Sequence, residues 1–360
     1  MALDRLDLTD FRNHAAFSVR PEGRFIILHG ANGAGKTNIL EAVSLLVPGR
    51  GFRRANLHEM ARQQGKGGFA VAARLGDSTI GTAVLAEQPG RRIVHINGAN
   101  AAINDLAEWL SILWLTPAMD RLFMDGAGAR RRFLDRLVLA LEPSHARNSN
   151  HYDNALRQRN RLLSEGQKDA AWLDAIEASM AESAAAIAES RARTVGQLSA
   201  RLAAMLPSLF AKPLIALDNA ATPDAAELAK AWQDARPRDR AAGRTLAGPH
   251  RNDIKVHHEG HGQPAASCST GEQKALLLSL ILAHAELVAE LRAAPPILLL
   301  DEVAAHLDPE RRVALFERLA DSGSQVWMTG TEASLFDSAG DHAMRICVAD
   351  TALGDGVCLG

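Results

Sequence analysis

A glycine-rich segment near the start of the chain has the composition of a phosphate-binding loop. Its eight residues match the pattern G-x-x-x-x-G-K-[ST] and read Gly30-Ala31-Asn32-Gly33-Ala34-Gly35-Lys36-Thr37. Glycines let the backbone curl so that successive N–H groups face the phosphates, while the lysine adds positive charge and the threonine hydroxyl is positioned for Mg²⁺. An apolar strand pattern at 25–28 precedes the loop, and apolar residues at helical spacing follow it. The segment therefore predicts ATP or GTP binding.

The acidic residues that such a site needs come only near the other end of the chain. Asp301 and Glu302 follow the apolar run 297–300, which predicts a buried strand. A carboxylate in the position of Asp301 can hold Mg²⁺, and Glu302 can orient the attacking water or accept its proton. The sequence thus predicts one nucleotide site assembled from both ends of the chain, with most of the protein inserted between them.

The composition is that of a globular protein without a global charge bias. The 360 residues are 47% hydrophobic and 23% charged, and the formal net charge is -2, so a surface for nucleic acid would have to be a local patch. The three cysteines lack the spacing of a disulfide framework or a zinc site. We find no signal-peptide pattern and no apolar run long enough to span a membrane. We therefore expect a soluble, cytoplasmic protein without a membrane partner.

Three regions of the chain differ in hydrophobic pattern. Residues 1–115 have strand-like alternation around the helix that follows the phosphate-binding loop, with strands predicted at 70–75, 80–85 and 92–96. Residues 116–240 are alanine-rich and helical, and residues 241–360 return to strands and helices. One long helix of the middle region keeps an apolar face from Trp172 until Pro207. The pattern predicts an α/β protein in which the first and third regions form the nucleotide-binding domain and the second is a helical insert.

A turn of small residues precedes the apolar helix predicted at 275–291. It reads Cys268-Ser269-Thr270-Gly271-Glu272-Gln273-Lys274 and resembles the L-S-G-G-Q/E signature of ABC-type ATPases, in which this turn caps the γ-phosphate of a nucleotide bound to a partner subunit. The alternative is an ordinary helix N-cap, with Ser269 or Thr270 capping and Glu272 in the first turn. The order of the three motifs along the chain favours the signature.

Further segments extend this resemblance along nearly the whole chain. Asp10-Phe11-Arg12-Asn13-His14 resembles the N-terminal turn of one family, and Arg130-Arg131-Arg132-Phe133-Leu134-Asp135 resembles its arginine-rich segment. Residues 152–163 resemble its Y…L…RN-LL helix, and Gly248-Pro249-His250-Arg251-Asn252-Asp253 resembles its GPHRdDl motif. These segments together are similar to the RecF family, in the SMC-like branch of ABC ATPases. The resemblance implies an ABC/SMC-type P-loop ATPase head with mixed sheets and an inserted α-helical lid domain.

The resemblance also implies roles for individual residues. It places the phosphates and Mg²⁺ of ATP against Gly33, Gly35, Lys36 and Thr37, with Asp301 on the metal and Glu302 activating water. The further nucleotide contacts that it implies are those of Gly30, Ala31, Asn32, Ala34, Asn38, Arg12 and Asn13, and those of Ser269, Gly271 and Asp308 toward the site of a partner subunit. Thr270 and Cys268 depart from the family's signature, and Thr329-Gly330-Thr331 stands where transporter-type ATPases carry a γ-phosphate-sensing histidine.

For function, the resemblance implies an ATP-dependent DNA-binding protein with weak ATPase activity that forms a homodimer on ATP. RecF-type proteins act on double-stranded DNA and at single-strand/double-strand junctions with RecO and RecR, and they help RecA to load during gap repair and replication restart. Arginines could supply the local surface for DNA phosphates, at positions 50, 53, 54, 130–132, 136, 157, 159 and 161. The alternative for each of them is a solvated helical face paired with acidic residues.

Other functions fit part of the pattern. The main alternative is an SMC-like, ATP-gated structural DNA clamp outside the RecA-loading pathway, but a clamp needs long heptad arms and the insert has one long helix that stops at Pro207. A transporter ATPase would have its signature much closer to the phosphate-binding loop, and a small-molecule P-loop kinase would need no signature turn. The resemblance implies a slow ATPase in which ATP controls residence on DNA.

Overall fold

The fold is that of a computed structural model, which describes residues 2–165, 170–205, 209–218, 224–340, 342–349 and 357–359. The chain divides into two compact units. The first unit comprises Met1–Asp120, Ser208–Phe210 and Leu277–Gly360, and the second comprises Arg121–Pro207 and Ala211–Leu276. The two ends of the chain therefore build one unit together, and the middle of the chain builds the other.

The N-terminal part of the first unit consists mostly of short strands. Its elements are β1 (Arg5–Phe11), β2 (His14–Val19), β3 (Phe25–His29), α1 (Lys36–Ser44), α2 (Leu57–Met60), β4 (Phe69–Leu75), β5 (Ser78–Val84), β6 (Arg92–Ile96), β7 (Ala99–Ala101), α3 (Leu106–Trp109) and β8 (Ile112–Leu115). The strands predicted at 70–75, 80–85 and 92–96 correspond to β4, β5 and β6. The short strands β2, β7 and β8 have no counterpart in the sequence prediction.

The second unit is mainly helical. It contains α4 (Ala127–Leu141), α5 (Ser144–Ser164), α6 (Ala170–Ala204), β9 (Pro213–Asp218), α7 (Ala225–Ala242) and β10 (Asp253–His258). The predicted long helix corresponds to α6, and its predicted stop at Pro207 lies outside the described residues. Because β10 pairs antiparallel with β9, residues 241–276 group with the insert and not, as the sequence boundary at 241 has it, with the ATPase head.

The chain leaves the second unit along α8 (Thr270–Arg292). It then forms β11 (Ile297–Leu300), α9 (Pro309–Asp321), β12 (Gln325–Gly330), β13 (Met344–Val348) and β14 (Val357–Leu359). Among the helices that the structure describes, none combines the length and the apolar composition that crossing a membrane requires.

Two six-stranded sheets form the first unit. One is antiparallel, in the order β2-β1-β4-β5-β6-β7. The other has the order β14-β13-β3-β12-β11-β8, and its strands are parallel from β13 to β8. Because the carboxyl ends of parallel strands meet at one edge of a sheet, the loop after β3 and the acidic pair after β11 lie on either side of the end of β12.

A single buried apolar cluster joins α1 to both sheets of the first unit. Ile39 and Val43 of α1 lie in it together with Phe11 of the antiparallel sheet and Trp327 of the parallel sheet. The side-chain amide of Gln325 adds a polar connection, since it donates to the carbonyl of Leu3 and accepts from the amide of Leu3, both at 3.0 Å. The start of the chain is thereby held on β12.

The second unit is organised around a buried arginine. Arg159 of α5 is 0% exposed and donates to Glu177 and Asp239 at 2.8 Å, with further hydrogen bonds to Thr245 and to the carbonyl of Trp232. Breaking a buried ion pair by removing one partner typically costs about 3–5 kcal/mol. Arg159 therefore stabilises the insert, and its predicted place on a DNA-binding surface is wrong because its side chain is inaccessible.

Candidate nucleotide-binding site

The glycine-rich loop connects β3 to α1 in a conformation that depends on its glycines. Gly30, Gly33 and Gly35 have φ values of 142°, 86° and 101°, in the region that side-chain-bearing residues rarely adopt. A Cβ atom on Gly30 would also lie 2.4 Å from the carbonyl oxygen of Val348. With these φ angles the loop turns into the N-terminus of α1, and a helix N-terminus has the geometry of an anion site.

Lys36, the first residue of α1, is folded back over the loop. Its Nζ donates to the carbonyl oxygens of Gly30 and Ala31, at 2.7 and 2.8 Å. Burial lowers the pKa of Lys36, while the nearby carboxylates of Glu302 and Asp301 oppose that shift. The loop thus holds a buried cation whose present partners are neutral carbonyl groups, which a phosphate can replace.

Thr37 and Asp301 bring the two ends of the chain into direct contact. The Thr37 hydroxyl donates to Oδ1 of Asp301 at 2.8 Å across 264 residues of sequence. Burial raises the pKa of Asp301, and hydrogen bonds from Thr329 and Thr37 oppose this effect. A hydroxyl and a carboxylate oxygen side by side at a helix N-terminus form a donor set that suits a hard cation such as Mg²⁺.

Thr329, the fifth residue of β12, connects the two acidic residues. Its hydroxyl donates to Oδ1 of Asp301 at 2.7 Å and accepts from the backbone N–H of Glu302 at 2.9 Å. Glu302 has a φ of 55°, which is uncommon for a residue with a side chain and is held here by that hydrogen bond. Thr329 therefore sets the position of Asp301 and the backbone direction at Glu302.

Polar side chains from the β1–β2 turn support the loop. Asn13 Nδ2 donates to the carbonyl of Ala34 at 3.0 Å, and Asn38 Nδ2 donates to Asn13 Oδ1 at 2.7 Å. His14 Nε2 lies 3.1 Å from the carbonyl oxygen of Gly35. Burial lowers the pKa of His14, so the neutral ring is favoured and its Nε2–H tautomer can donate to that carbonyl. These contacts fix the loop before any nucleotide binds.

Arg12 contacts α1 rather than the loop itself. It forms a two-point ion pair with Glu41, at 2.8 and 2.7 Å, and donates to the carbonyl of Glu59. Arg53 also pairs with Glu41, at 3.0 Å, and the carboxylate of Glu41 is fully buried. The two arginines thus neutralise a buried charge on the helix that follows the loop. A nucleotide contact of Arg12 stays a prediction.

The signature turn opens α8 in the second unit. The backbone N–H and the hydroxyl of Ser269 both donate to Oε2 of Glu272, at 2.8 and 2.7 Å, so the contacts of the alternative helix cap are present. Ser269 and Gly271 are exposed, and a Cβ atom on Gly271 would have no neighbour within 4 Å. Asp308, also exposed, caps α9 by accepting from the N–H of Arg311. Their predicted contacts with a partner subunit stay predictions.

Comparison with known proteins gives the family. The model of the RecF/RecN/SMC N terminal domain matches residues 2–353. The DNA replication and repair protein RecF of Mesorhizobium japonicum is 48% identical, covering 98% of this chain and 97% of its own. The protein of the same name from Brucella suis biovar 1 is 49% identical, over 95% and 93% of the two chains. The chain belongs to the RecF family.

Solved structures agree with this membership at the level of the fold. The RecF–ATP structure of the recombination mediator protein in the RecFOR pathway superimposes with a TM-score of 0.83 at 23% identity, over 97% of this chain and 95% of that one. The Smc head domain of Pyrococcus furiosus superimposes with a TM-score of 0.56 at 17% identity, over 97% and 94% of the chains. The predicted fold class, an SMC/RecF-type ATPase head with mixed sheets, is confirmed.

The arginines of the arginine-rich segment in this RecF-family chain differ in their surroundings, since some bond to other parts of the protein and one is exposed. Arg130 forms an ion pair with Asp253 at 2.6 Å, and Arg131 donates to the carbonyl of Asn252 at 3.0 Å, so both support the GPHRND segment. Arg132 is exposed and, with Arg131, Arg191 and other residues of the second unit, lines a cavity of about 230 Å³. Of these side chains, Arg132 is the better candidate for an external phosphate.

The hydroxyl of Thr329 provides a test of this site. Thr329→Val keeps the shape of the side chain but leaves Asp301 with one hydrogen-bond donor fewer. A buried acceptor that loses its hydrogen-bond donor costs about 1–3 kcal/mol of free energy. We therefore expect ATP turnover to fall roughly tenfold or more while nucleotide binding persists. Steady-state phosphate release and nucleotide titration measure the two quantities. Thr9→Val, at an exposed position on β1 outside the site, is the matched control; equal losses in both variants, or no loss in Thr329→Val, would contradict the assignment.

Proposed function

We propose that this RecF-family protein is a slow ATPase that binds DNA as an ATP-closed homodimer in DNA repair and replication. One observation carries the proposal: the hydrogen bond between Thr37 and Asp301 joins the phosphate-binding loop and the acidic strand into a single site. The name shared by the relatives, DNA replication and repair protein RecF, supports the role on DNA.

Nucleotide binding is the task of the loop. Lys36 exchanges the carbonyl oxygens of Gly30 and Ala31 for the β- and γ-phosphate oxygens, and the N–H groups at the start of α1 face the same phosphates. Thr37 and Asp301 supply the oxygen atoms that would hold Mg²⁺. When bound there, the ion neutralises charge that develops on the phosphate oxygens.

Hydrolysis is assigned to Glu302. Its carboxylate orients a water molecule toward the γ-phosphorus and accepts the proton of that water as the new P–O bond forms. The bond between the γ-phosphorus and the β–γ bridging oxygen breaks, which leaves ADP and phosphate. Thr329 contributes by holding the backbone at Glu302 and the carboxylate of Asp301 in place.

A second copy of the chain completes each site. We assign Ser269 and Gly271 of one copy to the γ-phosphate held by the other, with Asp308 beside the same interface. The Ser269 hydroxyl donates to Glu272 in the free chain, so it must redirect this hydrogen bond when it meets a phosphate. Hydrolysis removes the group that holds the copies together, and ATP therefore acts as a timer for the closed state.

The closed dimer is the form that we assign to DNA. We place it in the cytoplasm, on double-stranded DNA and single-strand/double-strand junctions, where it would act with RecO and RecR to help RecA load. Arginines such as Arg132 fit this role because contacts with backbone phosphates do not depend on sequence. Aromatic residues are only 4% of the chain, so stacking on bases is not expected to dominate.

Dimer closure is testable with a hydrolysis-blocked variant. Glu302→Gln keeps the shape of the side chain but cannot accept the proton, so ATP and Mg²⁺ should hold it as a dimer in multi-angle light scattering. Adding Ser269→Ala should return most of the protein to monomer. Glu317→Gln, an exposed carboxylate on α9, is the matched control and should dimerise only while ATP lasts. A Glu302→Gln protein that stays monomeric with saturating ATP would rule out the composite site.

DNA binding is testable with the same variant. We expect Glu302→Gln to bind a single-strand/double-strand junction more tightly with ATP than without it, by fluorescence anisotropy. Arg132→Ala in this background should weaken binding to all DNA sequences. It should also reduce the slope of log affinity against log salt concentration by about one, as expected for the loss of one phosphate contact. Arg91→Ala, an exposed arginine of the first unit, serves as the control. An affinity independent of ATP at every salt concentration would overturn the DNA role while leaving the ATPase assignment standing.

A further inference from the structure

A cluster of two histidines and one glutamate lies beside the signature turn. His258 is the last residue of β10, His261 lies in the turn that follows, and Glu272 is in the first turn of α8. One potential ligand atom from each of the three residues lies within 4.8 Å of the other two. Nothing in the nucleotide site or in the proposed dimer contact uses these imidazoles.

The turn that carries the histidines has a defined backbone. The N–H of His258 donates to the carbonyl of Gln263 at 2.9 Å, and the N–H of Gly262 donates to the carbonyl of His258 at 2.8 Å. A Cβ atom on Gly260 would lie 3.3 Å from the His258 ring, so glycine leaves room for that ring. The two rings lie side by side, with centroids 4.4 Å apart. The fold therefore brings both imidazoles together before any ligand arrives.

Glu272 divides its two carboxylate oxygens between two tasks. Oε2 accepts both hydrogen bonds from Ser269, whereas Oε1 faces His261 and lies 3.2 Å from its Nε2. The backbone N–H of His261 donates a long hydrogen bond of 3.3 Å to Nδ1 of His258. The lone pair of this ring nitrogen is therefore engaged only weakly. The cluster can thus offer two imidazole nitrogens and one carboxylate oxygen without releasing Ser269.

We propose that His258, His261 and Glu272 form a binding site for a divalent transition-metal ion of the Zn²⁺ type. Two imidazoles and one carboxylate are a ligand set that zinc takes with water as the fourth ligand. The set disfavours Mg²⁺ and Ca²⁺, which prefer oxygen ligands, so the Mg²⁺ that serves the nucleotide site would not compete for this cluster. Coordination would bring the three ligand atoms, now within 4.8 Å of one another, closer together by rotation of their side chains.

The position of this site gives it a structural consequence. A metal ion on Oε1 would restrain the carboxylate whose other oxygen holds the backbone and the hydroxyl of Ser269. It would strengthen the link between the turn after β10 and the start of α8, where Nε2 of His261 already lies 3.2 Å from Oε1 of Glu272. Metal binding should therefore reduce hydrogen exchange of the backbone amides at 258–263 and 269–273.

The test uses the full chain, without an affinity tag, freed of metal by a chelator and kept without nucleotide. We expect isothermal titration with ZnCl₂ in excess Mg²⁺ to show one strong site, and CoCl₂ to give the intense visible absorption of a four-coordinate ion. Since even outer partners of metal ligands are worth roughly 10–100-fold in affinity, His258→Ala, His261→Ala and Glu272→Gln should each weaken binding at least tenfold. His257→Ala, the neighbouring histidine outside the cluster, should leave it unchanged.

The readouts do not depend on the proposed function, because they need neither ATP nor a dimer. Absence of a strong site in the wild-type chain would overturn the proposal. So would zinc affinity that survives in all three ligand variants, or that falls equally in His257→Ala, since the metal would then bind elsewhere. Failure here would leave the composite ATP site untouched, and failure of dimerisation would leave the metal site untouched.

Discussion

The order of three parallel strands is the constraint on which the nucleotide site depends. β12 pairs with β3 on one side and with β11 on the other, so the phosphate-binding loop and the acidic pair end on either side of the same strand. Thr329, near the end of β12, forms hydrogen bonds with the side chain of Asp301 and the backbone N–H of Glu302, and Asp301 accepts a hydrogen bond from Thr37. A different strand order would leave every motif intact in sequence and would abolish the site.

A second layer of contacts keeps the loop and α1 in register with this edge. The buried carboxylate of Glu41 needs Arg12 and Arg53, because an unpaired charge in the core would be costly. Asn13 and His14 hold the loop from the β1–β2 turn, and a Cβ atom on Gly35 would collide with both side chains. The residues around the loop are therefore preorganising partners, and their substitution should affect nucleotide binding even without contact to ATP.

Local signals in the sequence were sufficient for part of this account. The loop, the acidic pair and the strands at 70–75 and 92–96 could be predicted because each is encoded in a short run of residues. The role of Thr329 could not, because it depends on which strands are neighbours. The sequence predicts a surface position for Arg159, which is wrong because the pattern of one helix does not show which other elements pack against it. The domain boundary predicted at 241 separates β10 from β9, although the two strands pair with each other. The metal cluster combines residues from two turns, so their spacing in sequence gave no motif.

In the proposed dimer, one chain holds only part of each ATP site, and mixing two inactive variants is a direct test of this arrangement. Lys36→Ala lacks the loop cation and Ser269→Ala lacks the signature hydroxyl, so each protein alone should hydrolyse little ATP. In an equal mixture, half of the dimers would contain one intact composite site, and the rate should approach roughly one quarter of the wild-type rate per chain. Full activity of Ser269→Ala alone, or no recovery on mixing, would contradict the claim.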